Sequence, residues 1–455
     1  MRSTVNGQSR LSLWRHVREF AVPPSMITSA TARRVVGDWA GACAAARVDV
    51  DLDLRAVTRA AGRELAARIR ADLRHLAPDL LRWHMPRIAP DGLLRPGLTL
   101  SLARYGPEGD KTLHLVARTP PGWADGGQRI SLALWDEAGS GDRAGNHPHP
   151  RPNPRFRLDL HRHLWDARRS VELRARSGLD HPPDDNRHPP EHDRLRDLGC
   201  AVDRWAAEAR VLLHAEDRAA ETAVAARLGG RRRLVLELTG GPDGVRAVPG
   251  AAARRLAALP VLPDAATWVP PDVALLRAGL IGADLLHPLV AAALVPDRPV
   301  IGPSDLSTGP RLVECRGAQH RIGLVDGVLV PLDHDPVEIR REELLAALTG
   351  TPLACLRAID EAHRRPEQLV DIRARLDHGD TVGALAAVEN LLGPEATLPD
   401  GVLRDELATA ALRQVTCGLF RSGLVDTTRS IHARPTRRPR DHRGHPRNAR
   451  HPVSR

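Results

Sequence analysis

Residues 65–102 read LAARIRADLRHLAPDLLRWHMPRIAPDGLLRPGLTLSL, and the apolar period changes within them. Leu65, Ile69, Leu73 and Leu76 recur at helical spacing while Arg55, Arg59, Arg63, Arg70 and Arg74 occupy another face, which predicts an amphipathic helix ending near Pro78. The arginine stripe could meet phosphates, but a solvated helix face is the favoured account of it, since a helix must put some face in water. Beyond Pro96 the period becomes two: Leu98, Leu100 and Leu102 alternate with Thr99 and Ser101, the signature of a strand. A helix followed directly by a strand places the chain in the α+β class.

The alternation continues downstream through Leu113 and Leu115 and then Ile130, Leu132 and Leu134, so three strands form an antiparallel meander. Gly106, Gly109, Asp110, Lys111 and Thr112 sketch a phosphate-binding loop between the first two. Asp110 puts a carboxylate where a phosphate would sit, and a strand follows where a helix N-terminus is needed, so a hairpin turn is expected. No G-x-S-x-G elbow or dinucleotide fingerprint is present, and no cofactor is expected.

Composition divides the rest. Residues 1–136 carry the N-terminal helices and the meander. Residues 137–154 form a Pro/His-rich linker with Pro148, Pro150, Pro152 and Pro154 at alternate places. Residues 155–310 make a central α+β region, opening on a strand through Phe156, Leu158 and Leu160. A second proline-rich loop, Leu179 to His192, leads to a long helix from Trp205 to Leu228 closed by Gly229 and Gly230, and then to a strand from Leu234 to Leu238. Residues 311–428 hold a small antiparallel sheet around Asp326-Gly327 and then a helical bundle, with helices near 352–364, 367–378, 381–392 and 400–420. Asp335, Pro336 and Glu338 form a capping box at the start of that bundle.

Two short stretches are alike: Gly37-Asp38-Trp39-Ala40-Gly41-Ala42 and Gly379-Asp380-Thr381-Val382-Gly383-Ala384. Both resemble the turn between the paired helices of tetratricopeptide repeats. Such arrays need neighbouring copies at a period of about 34 residues, so isolated helical hairpins are implied. Residues 313–366, with Glu314, Cys315, Arg316, Gly317 and then Asp333, His334, Asp335 and Pro336, are similar to proteins of high-GC bacteria to which no role is assigned. That resemblance implies a source class and supplies no substrate or catalytic residue.

Of the 66 basic residues only Lys111 is lysine, a chain-wide skew of the kind a GC-rich genome produces, so a single arginine says little. Its distribution says more. Arg434, Arg437, Arg438, Arg440, Arg443, Arg447, Arg450 and Arg455 follow Arg429 and face one acid, Asp441, so residues 429–455 hold most of the formal charge of +10. This stretch, with its prolines and no aromatics, is expected to be disordered and to give weak, sequence-independent contact with nucleic acid or another polyanion. The five cysteines are scattered without a C-x-x-C pair, and no stretch has the length and apolarity of a membrane span. A soluble, cytoplasmic, non-enzymatic interaction protein with a protein partner is the leading expectation.

Two alternatives rest on named residues. A hydrolase-like site could gather around Asp333, His334 and Asp335 at a strand-to-helix junction, although a helix cap already accounts for Asp335. A metal could use the His-rich middle, with His181, His188, Glu191 and His192 as ligands. His188, Glu191 and His192 spell the H-x-x-E-H order, but Pro189 and Pro190 oppose a continuous helix through it. Asp49, Asp51 and Asp53 alternate like a cation loop yet lack the glycine turn and closing glutamate.

Overall fold

The computed structural model describes residues 2–106, 112–136, 147–179, 190–229, 232–239, 244–249, 258–296, 311–315, 318–325, 328–331, 337, 340–341, 367–392 and 402–424. The fold is α+β, with helical hairpins and small sheets. It opens with α1 (Arg2–Phe20), α2 (Pro24–Val35), α3 (Trp39–Ala45) and β1 (Val48–Val50). The helix expected to end at Pro78 is two helices, α4 (Leu54–Ala61) and α5 (Arg63–His75), because Gly62 at φ +89° turns the chain between them. Ile69, Leu73 and Leu76 are buried as the spacing requires.

After α6 (Pro78–His84) come the short strands β2 (Arg87–Ile88) and β3 (Leu93–Leu94), then β4 (Thr99–Tyr105), β5 (Leu113–Arg118) and β6 (Ile130–Asp136). The last three form the expected antiparallel meander, and Tyr105 pairs with Leu113 across the β4–β5 hairpin. The sheet has a fourth strand: β1 joins β6 in parallel, with Val48 opposite Ile130, giving the order β1-β6-β5-β4. The aspartate trio is used structurally there. Asp49 receives Arg129 at 2.7 Å, Asp51 receives Arg421 at 2.6 Å, and Asp53 caps α4 through the Arg55 amide.

The central region contains α7 (Leu173–Ser177), α8 (Pro190–Asp197), α9 (Trp205–Ala215), the strands β7 (Ala223–Arg227), β8 (Arg233–Leu238) and β9 (Val245–Pro249), and the short helices α10 (Asp264–Thr267), α11 (Pro271–Arg277) and α12 (Pro288–Leu294). Two expectations are corrected. Phe156, Leu158 and Leu160 lie in irregular chain, with a single bridge from Arg157 to Ser101. The helix from Trp205 stops at Ala215, where Asp217 takes φ +53°, and Ala223–Arg227 pairs with β8 instead.

The C-terminal region holds β10 (Arg311–Cys315), β11 (Ala318–Val325) and β12 (Val328–Pro331) in one antiparallel sheet, then α13 (Glu367–Asp377), α14 (Thr381–Leu392) and α15 (Val402–Arg421). These match the expected strands and three of the expected helices. The two Gly-Asp turns have the same construction. Asp38 accepts from the Gly41 amide and from Arg33, five residues before it, and Asp380 accepts from the Gly383 amide and from Arg375, again five before. Gly37 and Gly379 both adopt φ +80°, which an L side chain rarely does.

One core joins residues on both sides of the 137–154 segment, from Val17 and Leu73 through Leu100 and Ile130 to Trp165, Val273 and Val290. Trp83 and Trp165 are buried at its centre. A second core gathers Trp205, Leu212, Val224, Leu236 and Leu262, and a third lies between α13, α14 and α15 around Ile372, Ala384 and Ala410. The last docks on the first sheet: Trp123 meets Phe420 edge-on, and Arg47 donates to the His378 carbonyl at 2.9 Å.

Candidate functional site: an arginine-lined cavity

Helix α1 places Arg10, Trp14 and Arg18 four residues apart, on one face. That face looks into a cavity of about 310 Å³. The opposite wall comes from the end of α6, where Pro86 prevents further helix and turns the chain so that His84, Met85 and Arg87 all line the space. Arg155, Phe156, Arg157 and Leu158 enter from the irregular segment, which is held in place by the Asp159 amide on the Ser101 carbonyl and the Trp165 indole on the Leu158 carbonyl. His163, Arg204, Asp264 and Trp268 close it.

Four of the lining arginines already have carboxylates. Arg18 bonds Asp272 at 2.6 and 3.0 Å, Arg155 bonds Asp264 at 3.0 and 2.6 Å, Arg157 bonds Asp159 at 2.8 Å, and Arg204 bonds Glu208 at 2.6 Å. Arg10, Arg87 and Arg95 form no direct ion pair among the described residues, although the Asp264 carboxylate that Arg155 holds acts at longer range on Arg10 and Arg95. Arg10 stacks its guanidinium 4.8 Å from the Trp268 ring centre. Arg87 donates Nη2 to the Arg82 carbonyl at 2.7 Å, while its Nε is buried without a hydrogen-bond partner.

Both histidines that line the cavity are left incomplete in the same way. His84 Nε2 and His163 Nδ1 are buried without partners, and the His163 side chain as a whole is buried at 3% exposure. Burial pushes His84 down to about 3, with Asp272 opposing the shift and Arg18 adding to it. Burial, then His161, Arg176 and Arg204, holds His163 well below the ordinary imidazole value. Both rings are therefore neutral at pH 7 and carry one N–H each. Burial also lowers Arg87, to about 9, with Arg18 adding to the shift.

The network behind the wall is anchored on Glu208. It accepts from Arg176 at 2.7 Å through both oxygens, from Arg204, and faces His161 Nε2 at 3.2 Å. Burial would raise its carboxyl, but His161 and the two arginines hold it far below the usual range. The site thus combines fixed positive charge, neutral imidazole donors and the apolar surfaces of Trp14, Phe156 and Trp268. Such a site can hold an acceptor-rich anion bearing a small apolar body.

The residues singled out in the sequence lie elsewhere. Asp333, His334 and Asp335, His181 and His188, and Arg434 to Arg455 fall outside the described residues. Glu191 and His192 are on α8, which begins at Pro190, and His192 is buried at 3% exposure. Among the described residues no group of three His, Cys, Asp or Glu could hold a metal ion. One serine does meet a histidine, Ser101 Oγ lying 2.9 Å from His114 Nδ1, but Ser101 is fully buried within β4 and offers no surface to a substrate. No protein-family model, curated protein or solved structure matches this chain.

Proposed function

We propose that this chain is a binding protein for a small organic anion, held in the cavity between α1, the end of α6 and the 155–164 segment. The observation that carries this reading is the set of unfilled hydrogen bonds on its wall: His84 Nε2, His163 Nδ1 and Arg87 Nε are buried, lack partners and line the same space. Each such group costs about 1–3 kcal/mol when left unpaired, more when charged. These three share one cavity, where the oxygens of a ligand would complete them. Burial of the free thiols of Cys43, Cys200 and Cys417 supports a reducing, cytoplasmic setting, and among the described residues no helix is long and apolar enough to cross a membrane.

The test is calorimetric titration of the full chain with benzoate, phenyl phosphate and uncharged benzyl alcohol. Saturable one-to-one binding of an anion, with none of the alcohol, is the expected result. Absence of saturable binding by either anion overturns the reading. A second contact is proposed for residues 429–455, where the excess of arginine over acid supports sequence-independent binding of a polyanion.

A further inference from the structure

The charge balance of the cavity goes further than its sign. This step rests on the anion-binding reading above. Arg18, Arg155, Arg157 and Arg204 each bring their own carboxylate into the wall, so their charge is spent before any ligand arrives. Arg95 is exposed and screened by solvent, so Arg10 and Arg87 are the two half-buried guanidinia that bring none from the described residues, and the two imidazoles are neutral. A monoanion would leave one of these two half-buried guanidinia beside the ligand without a counter-charge, which a dianion would supply.

We infer that the natural occupant carries a dianionic, acceptor-only head group, a phosphate monoester, with an apolar body no larger than about one ring. The donors match that head group in kind. Arg87 Nε, His84 Nε2 and His163 Nδ1 can each give a hydrogen bond and none needs to receive one, which suits the three peripheral oxygens of a phosphate. A planar carboxylate presents two oxygens and cannot answer all these donors together with the Arg10 fork. The cavity, about 310 Å³, lies at the lower end of the roughly 300–1,000 Å³ of small-molecule sites, so little room remains beyond the head group. Trp14, Phe156 and Trp268 supply the surface for what remains.

Phenyl phosphate and benzoate differ in head group and share the ring, so their relative affinity for the full chain decides the point. Phenyl phosphate should bind at least tenfold more tightly at pH 7.5, with one site per chain. Arg87→Met and Arg10→Gln, each shown by circular dichroism to be folded, should remove most of that preference while retaining weak benzoate binding. Equal affinities for the two ligands, or a preference untouched in both variants, overturn the dianion assignment and leave small-anion binding intact. Failure of both ligands to bind overturns the two readings together.

Discussion

Arg18 and Asp272, separated by 254 residues, form a two-pronged ion pair whose side chains are only 2% and 1% exposed. Asp272 also accepts from the Trp83 indole at 3.1 Å, and Arg18 donates to the Trp83 carbonyl at 2.7 Å. The guanidinium lies 4.3 Å from the Trp83 ring centre. This cluster ties α1 to α11 behind the cavity. Removing one partner leaves an enclosed charge, so Asp272→Ala should lower unfolding free energy by about 3–5 kcal/mol. The double replacement Arg18→Met with Asp272→Leu should recover most of that loss, because the pair's own desolvation cost disappears with it. Urea denaturation of the three proteins checks this. A double variant as unstable as Asp272→Ala would refute the ion-pair account.

The two Gly-Asp turns offer an internal comparison. A Cβ on Gly37 would meet nothing within 4 Å, so Gly37→Ala should cost only the left-handed backbone penalty of about 1–2 kcal/mol. A Cβ on Gly379 would overlap the Gly127 carbonyl, and its turn also holds Arg47 through His378 and Asp380. Gly379→Ala should therefore cost more than Gly37→Ala and expose α13–α15 to limited proteolysis before the first sheet. Equal losses in thermal stability would show that the helices are not held by this contact.

Local pattern accounts for what could be read in advance. The period-two runs at 98–102, 113–115 and 130–134 became β4, β5 and β6, and the Gly-Asp turns became capped helical hairpins, because alternation and capping are written within a few residues. Parallel β1 was not legible, since its partner β6 lies some 80 residues on and spacing carries no record of it. Residues 205–228 favour a helix throughout by propensity, yet pairing with β8 makes a strand of 223–227, a tertiary choice that outweighs local preference. The cavity shows the same limit. Arg10, Trp14 and Arg18 stand at helical spacing in plain view, but so do many arginines in this chain. Only folding brings them against Arg87 and His163.

Acid should destabilise the protein well above the carboxylate range. Burial lowers His84 and His378 to about 3, whereas an unfolded imidazole titrates near about 6.5. A folded value below the unfolded one means that unfolding takes up protons, so this stability is complete above about pH 6.5 and is lost as pH falls toward 3. Each such group contributes a slope of up to about 1.4 kcal/mol per pH unit. His378→Phe should flatten the dependence of unfolding free energy on pH between 6 and 4 by up to one proton. A slope unchanged in that variant would exclude His378 as a contributor.

For residues 429–455, duplex DNA binding by the full chain and by a chain ending at Leu424 should be compared over a range of salt. With a net charge of about eight available, the log-affinity against log-salt slope should steepen by no more than about 7, at roughly 0.9 per phosphate. Identical affinities and slopes for the two chains would remove the polyanion proposal.

Arg87 sets stability against binding. Burial pulls its guanidinium down to about 9, its Nε has no partner, and none of its hydrogen bonds goes to a carboxylate. In the ligand-free protein that charge is a liability, so Arg87→Met, which keeps the side chain's bulk, should leave thermal stability unchanged or raise it by about 1 kcal/mol. Phenyl phosphate at about 100 times its dissociation constant should stabilise the parent protein by about 2.7 kcal/mol and the variant by far less. With ligand the parent should therefore become the more stable of the two in a thermal melt, whereas without ligand it is no more stable than the variant. A variant that is less stable than the parent without ligand, and equally stabilised with it, would make Arg87 a structural residue and not part of the anion site.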